Sequence, residues 1–139
     1  MDDAELDQII DAWIAGQQAV RKSPEHERNW WALERVMDWS LDRNTDQLWR
    51  FVLAAYWREM SPIAAAVLAA GALEDLLAFD GAKYIERVEE LARTDSKFNW
   101  LLGGVWRSSM TDDVWQRLQS VRQYDWRDGT QQIVGPERG

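Results

Sequence analysis

The chain has few side chains able to make or break bonds. His26 is its one histidine, and it has no cysteine. Thiolate metal sites, cysteine nucleophiles and disulfides are therefore excluded. A zinc site needs several His or Cys ligands at set spacing, whereas His26 stands alone in Glu25-His26-Glu27, at the start of an expected helix. A Ser-His-Asp triad would have to use His26, and no nucleophile elbow accompanies it. Gly103-Gly104 lacks the lysine and the strand of a phosphate-cradling loop. Carboxylates are what is left. Glu86 shares a helix face with Glu89 and Glu90, three and four positions on. Such a group holds a divalent ion when a second helix adds ligands. No second set is visible, and Arg87 and Arg93 mark a solvated, charge-balanced face. The sequence predicts no catalytic, cofactor-binding or metal-ligating residue. A carboxylate-metal enzyme is the least favoured reading.

The elements that would position a site are helices. Leu6, Ile9, Ile10, Trp13, Ile14 and Val20 recur at helical spacing over residues 2–22. Ser23-Pro24 reads as the cap and first residue of a second helix, with Trp30, Leu33, Val36, Met37 and Leu41 on its apolar face. A third helix over 46–60 presents Leu48, Trp49, Val52, Leu53, Tyr56 and Trp57. Ser61-Pro62 opens an alanine-rich helix that Gly71 is expected to end. A short helix over 73–79 should stop at Asp80-Gly81, with another over 82–93. Thr94-Asp95-Ser96 and Thr111-Asp112-Asp113 cap two more. The prediction is an all-α single domain over residues 1–125, with about seven to eight short helices in antiparallel hairpins. Residues 1–60 form three longer helices. Residues 61–125 form short hairpins with HEAT-like stacking. Residues 126–139 are expected to be a mobile tail.

A length of 139 residues gives room for one domain, and 46% hydrophobic with 29% charged residues is ordinary for a globular chain. Tryptophan is unusual, with ten residues. Each buries roughly 150–250 Å², so a small domain can hold a strong core. Most are expected inside, with two or three on a partner surface. Trp30 and Trp31 point about 100° apart, so one should lie outside the core, as an aromatic anchor or in a homodimer interface. The longest mostly apolar stretch, 63–77, is interrupted by Gly71, Glu74 and Asp75 and is not expected to cross a bilayer. The acidic start, Met1-Asp2-Asp3-Ala4-Glu5, differs from a secretory signal. Together with the lack of cysteine this suggests the cytoplasm.

Sixteen basic against 24 acidic residues give a net charge of −8. That balance argues against direct binding of nucleic acid or of anionic membrane. Asp2, Asp3, Glu5, Asp7 and Asp11 contribute −5 in the first 20 residues with no base, and residues 61–100 contribute −3. Two acidic faces can steer a basic partner.

Three segments carry a resemblance. They are Gly71-Ala72-Leu73-Glu74-Asp75-Leu76-Leu77, then Gly81 with Tyr84-Ile85-Glu86-Arg87-Val88-Glu89, then Leu102-Gly103-Gly104-Val105-Trp106. Over residues 62–115 the chain resembles an uncharacterised bacterial helical family with Gly-x-Leu-Glu-Asp-Leu-Leu and Leu-Gly-Gly-Val-Trp segments. Ala72 stands where that pattern has proline. The resemblance implies the fold and a bacterial or phage origin, and no activity. Physically, Gly71 and Gly81 read as helix terminators. Glu74 and Asp75 read as first-turn acids facing free amides, and Gly103-Gly104 as a close approach beneath Trp106.

These features favour a non-enzymatic, cofactor-free inhibitor that blocks a basic protein partner. The partner would be a bacterial toxin, as for immunity proteins, or a nucleic-acid-processing complex, as for phage anti-defence (anti-CRISPR-like) proteins. The expected contacts are Asp2, Asp3, Glu5, Asp7, Asp11, Glu74, Asp75, Glu86 and Glu89, with Trp30 as anchor. The alternative is a structural, self-associating helical module.

Overall fold

The structure is a computed structural model, and it describes residues 1–128. Nearly every helix begins at a side chain that caps it. Asp2 accepts the Glu5 amide at 2.8 Å and starts α1 (Asp3–Gln18). Ser23, ahead of Pro24, starts α2 (Pro24–Leu41), and Asn44 starts α3 (Thr45–Ala55). Ser61 starts α4 (Pro62–Val67). The fifth helix, α5 (Glu74–Thr94), has no cap because it is not a new start: α4 runs into it through a π turn, Leu68–Leu73. Asp95 starts α6 (Ser96–Leu102) and Thr111 starts α7 (Asp112–Val121). A cap of this kind contributes about 1 kcal/mol. All-α is correct, and no strand occurs among the described residues. The expected helix stop at Gly71 does not occur. Continuity there is why the described residues form fewer runs than the predicted seven to eight.

The π turn follows from the spacing of the apolar pairs. Ala64-Ala65, Leu68-Ala69, Ala72-Leu73 and Leu76-Leu77 are all buried, and each pair is four residues after the last. A four-residue step overshoots a 3.6-residue turn by about 40°, so in a plain α-helix the row would swing away from the core. One wider turn with i→i+5 bonding takes part of that rotation back. Asp80 supplies a second correction. Its φ of −147° and ψ of 38° leave helical geometry, and Thr45 Oγ1 donates to its carboxylate at 3.0 Å. The stop expected at Asp80-Gly81 is therefore a kink. Beyond it Tyr84, Ile85 and Val88 return to the core with 0% exposure.

Two groups of helices close on this axis. The α1 and α2 helices are antiparallel, and a β-carbon on Gly16 would lie 2.5 Å from Leu33 Cδ1. Beside them α3 runs in the sense of α1, since Arg50 reaches Asp3 and Arg58 reaches Asp11. In the second half α5 and α7 run in one sense, with Gly81 against Val114 and Glu89 on Arg117, as in successive hairpins of a stack. However, α1 also packs on α4, and α3 on α5. One core cluster therefore takes side chains from every α-helix. By length and composition the run Pro62–Thr94, with a mean hydropathy of 1.7 in its most apolar window, passes as a membrane span. The expectation that Gly71 interrupts this stretch is thus corrected. Its Leu68, Leu73, Leu76 and Leu77 are covered by other helices.

Aromatic rings fill the middle. Trp13 and Trp39 pack on Phe51 at 5.4 and 5.9 Å between centroids. Trp49 touches Tyr84 and Phe98. Trp106 is 54% exposed, and Trp126 takes the place over Gly103-Gly104 that the sequence assigns to Trp106. Trp126 also stacks on Trp100 at 4.7 Å and donates its indole N–H to the Trp100 carbonyl. The expected tail at 126–139 therefore starts within packed structure, and residues 129–139 lie outside the described ones. Trp30 and Trp31 are both exposed, at 39% and 45%. The buried stripe of α2 is Ala32, Leu33, Val36 and Trp39, which leaves no inward place for either.

A β-carbon on Gly81 would lie 2.9 Å from both γ-carbons of Val114. Gly81→Ala is expected to cost about 1–3 kcal/mol in urea denaturation, the usual range for an overpacked contact. Adding Val114→Ala should recover part of that loss. A double variant whose losses simply add would show that the two helices do not meet there.

Candidate functional site

The acids expected to form a free N-terminal face are largely engaged. Asp2 caps its own helix. Asp3 pairs with Arg50 at 3.0 Å, and Asp7 and Asp11 both pair with Arg58. Because α3 lies alongside α1 in the same sense, its bases fall opposite this acidic row. Glu5 is exposed and has no ion pair among the described residues. Glu74 does not stand at a free helix start. It is half-buried, accepts the Trp106 amide at 2.8 Å, and burial pushes its carboxyl up. Glu89 is held by two hydrogen bonds from Arg117, one of 2.9 Å, which keep its carboxyl low. Glu86 is exposed. Among the described residues no three of His, Asp and Glu are placed to hold a metal ion.

The largest hollow, about 630 Å³, is lined by Gln18, Tyr56, Arg58, Lys97 and Trp100 among others. Its polar groups are used by the fold. Tyr56 donates to Asp95, and burial pushes its hydroxyl pKa up. Lys97 donates to the Trp57 carbonyl, Gln18 accepts the Ser61 amide, and Arg58 binds the α1 acids.

A second hollow has the opposite character. It is a groove of about 410 Å³ between α2 and the π turn, floored by Trp13, Leu33, Val36 and Ala72. Met37, Ser40 and Leu41 form one wall; Val67, Gly71, Asp75 and Phe79 form the other. Met37 and Leu41 are 50% and 78% exposed, though the sequence reads both as core. The reason lies in α2, whose apolar positions are too many for one buried face. At about 100° per residue, Trp30, Met37 and Leu41 fall on one outward stripe. Glu27, Glu34 and Asp38 fall beside it, and Arg28 and Arg35 fall further round. Glu27, Glu34 and Asp38 are exposed, and none pairs with a base among the described residues. Asp75 carries the acidic character to the opposite wall, while Arg43 stacks on Phe79 at one end, 4.7 Å from its ring centre.

Gly71 is the low point of that wall. A β-carbon at Gly16, Gly81, Gly103 or Gly104 would come within 3.0 Å of another side chain, whereas at Gly71 it would meet only Val67 Cγ1, at 3.9 Å. Its φ is not left-handed. A glycine inside a helix costs roughly 0.5–1 kcal/mol against alanine, and nothing within the described structure requires one here. From the sequence alone, Gly71 and the α2 acids are not separable from a helix stop and a solvated surface.

A family model described as a family of unknown function (DUF6869) matches residues 19–126, and the chain belongs to that family. The match is wider than the 62–115 of the motif resemblance and takes in α2 and α3. No curated protein and no solved structure matches the chain. Most of the groove lies within the matched residues, apart from Trp13 and Gln17 on α1.

The matched region ends in a latch behind the groove. Gly104 lies under both Trp126 and Ala69 of the π turn. Arg122 donates to the carbonyls of Leu102 and Val105 and pairs with Asp125 at 3.2 Å. Arg127 also hydrogen-bonds Asp125, lowering its carboxyl from an ordinary 3.8 to about 2. A depressed carboxyl stabilises the folded chain above its unfolded value and stops doing so as pH falls through its folded value. The latch is therefore expected to loosen between about pH 4 and pH 2. Thermal melts across that range should show the loss in the native chain and a smaller pH dependence in Asp125→Asn; equal slopes would contradict the pairing.

Proposed function

We propose that the chain is a non-enzymatic protein-binding inhibitor that acts in the cytoplasm on a basic protein. One observation carries this reading: Glu27, Glu34 and Asp38 stand exposed, without a paired base among the described residues, beside exposed Trp30, Met37 and Leu41. Unpaired acids attract a basic surface and speed encounter. Exposed aromatic and aliphatic groups, once desolvated, slow release. Trp30 is the aromatic anchor. The α1 acids contribute less to capture, because Arg50 and Arg58 already neutralise part of them. The two settings that use such a device are immunity-type neutralisation of a toxin and anti-defence (anti-CRISPR-like) blocking of a nucleic-acid-processing complex.

A second reading, a self-associating module, is favoured by the adjacent exposed rings of Trp30 and Trp31. Light scattering of the native chain and of Trp30→Ala separates the two. A dimer weakened by the substitution supports self-association, and an unchanged monomer removes it.

The main test is capture from bacterial lysate at ~0.05 M and ~0.5 M salt, where the Debye length shrinks severalfold. The retained protein should be basic and should elute as salt rises. Its association with a Glu27→Lys, Glu34→Lys, Asp38→Lys chain should be slower by roughly tenfold or more, with dissociation little changed. Retention unaffected by salt and by the triple reversal would overturn the proposal.

A further inference from the structure

We infer that the groove between α2 and the π turn docks one amphipathic, basic α-helix of the partner, which crosses the wall at Gly71. The inference rests on the protein-binding reading above and specifies where and what it binds. Four observations meet at this place. The groove is apolar along its floor, with Trp13, Leu33, Val36 and Ala72, and about 410 Å³ in volume. Met37, Leu41 and Val67 leave apolar surface open on its walls, at 50%, 78% and 37% exposure. Acids border both sides, with Glu27, Glu34 and Asp38 on α2 and Asp75 opposite, and none of the four pairs with a base among the described residues. Gly71 keeps the middle of the wall low although the chain itself does not fill the space.

A helix fits these features better than an extended strand. The groove is walled by two helices and has no sheet edge to extend. Its contacts repeat at helical spacing, with Met37 and Leu41 on one wall and Val67, Gly71, Asp75 and Phe79 on the other. An incoming helix presents apolar positions at i, i+3, i+4 and i+7 to such a groove. Lysine or arginine on its flanks would then meet the acids on both sides. A small wall residue lets two helices approach closely, so a side chain added at Gly71 would block docking before it disturbed the fold. Arg43 over Phe79 disfavours a base at that end, which gives the docked helix a direction.

The test is a titration of the full chain with a synthetic amphipathic helix made of leucine and lysine alone, followed by calorimetry and by backbone amide shifts. The expected result is binding that weakens with salt and shifts amides of α2 and of residues 67–79. Gly71→Leu should weaken binding by roughly tenfold or more while the melting temperature stays level or rises. A peptide of the same charge with serine in place of leucine should not bind. Equal binding by Gly71→Leu, lost on reversal of Glu27, Glu34 and Asp38, overturns the groove and leaves the acidic reading standing. Binding indifferent to both sets of substitutions overturns both. A native dimer that Gly71→Leu dissolves would make the occupant a second copy of this chain and overturn the partner helix.

Discussion

The row of apolar pairs four residues apart along Pro62–Thr94 is the constraint on which the rest of the molecule depends. Ala64-Ala65, Leu68-Ala69, Ala72-Leu73 and Leu76-Leu77 are buried before the kink, and Tyr84-Ile85 after it. A straight α-helix cannot keep such a row on one side, because each step adds about 40°. The chain keeps it there with two irregularities, the π turn at Leu68–Leu73 and the departure from helical geometry at Asp80. The face so produced receives α1 and α3 from one half of the chain and α6 and α7 from the other. The groove is the outer side of the same turn: what is rotated inward at Leu68 and Leu73 leaves Val67 and Gly71 on its wall.

Close approach is the second organising device. Gly16 admits Leu33, Gly81 admits Val114, and Gly103-Gly104 admits Trp126. These contacts tie α1 to α2, α5 to α7, and the final turn to the π turn. The charged residues follow the same geometry. Where two helices run in one sense, acid and base meet across the pair, as Asp3 with Arg50 and Glu89 with Arg117. Much of the net negative charge is thus paired within the fold, and the acids of α2 are distinguished by position rather than by number.

Helix type and most helix starts were legible in the sequence because they are local. Ser23-Pro24, Asn44, Ser61, Asp95 and Thr111 all act as caps. What could not be read depends on distant partners. Gly71 has the appearance of a stop until its neighbours Ala69 and Ala72 are seen to be buried together. Trp39, rather than Trp30, belongs to the core because Phe51 arrives from α3 to meet it. The α1 acids look free until Arg50 and Arg58 are placed across from them. The groove was legible only as an excess: α2 carries more apolar positions than one buried stripe can use.

The surplus residue of the π turn also limits how chains built this way can differ in length. A substitution there changes one contact. Deleting a single residue would turn everything downstream by about 100° relative to everything upstream, carrying Leu76, Leu77 and Tyr84 off the face that α3 and α7 require. Insertions and deletions are therefore confined to the connectors, at residues 42–44, 56–61 and 103–111, and the long central run behaves as a ruler of fixed count.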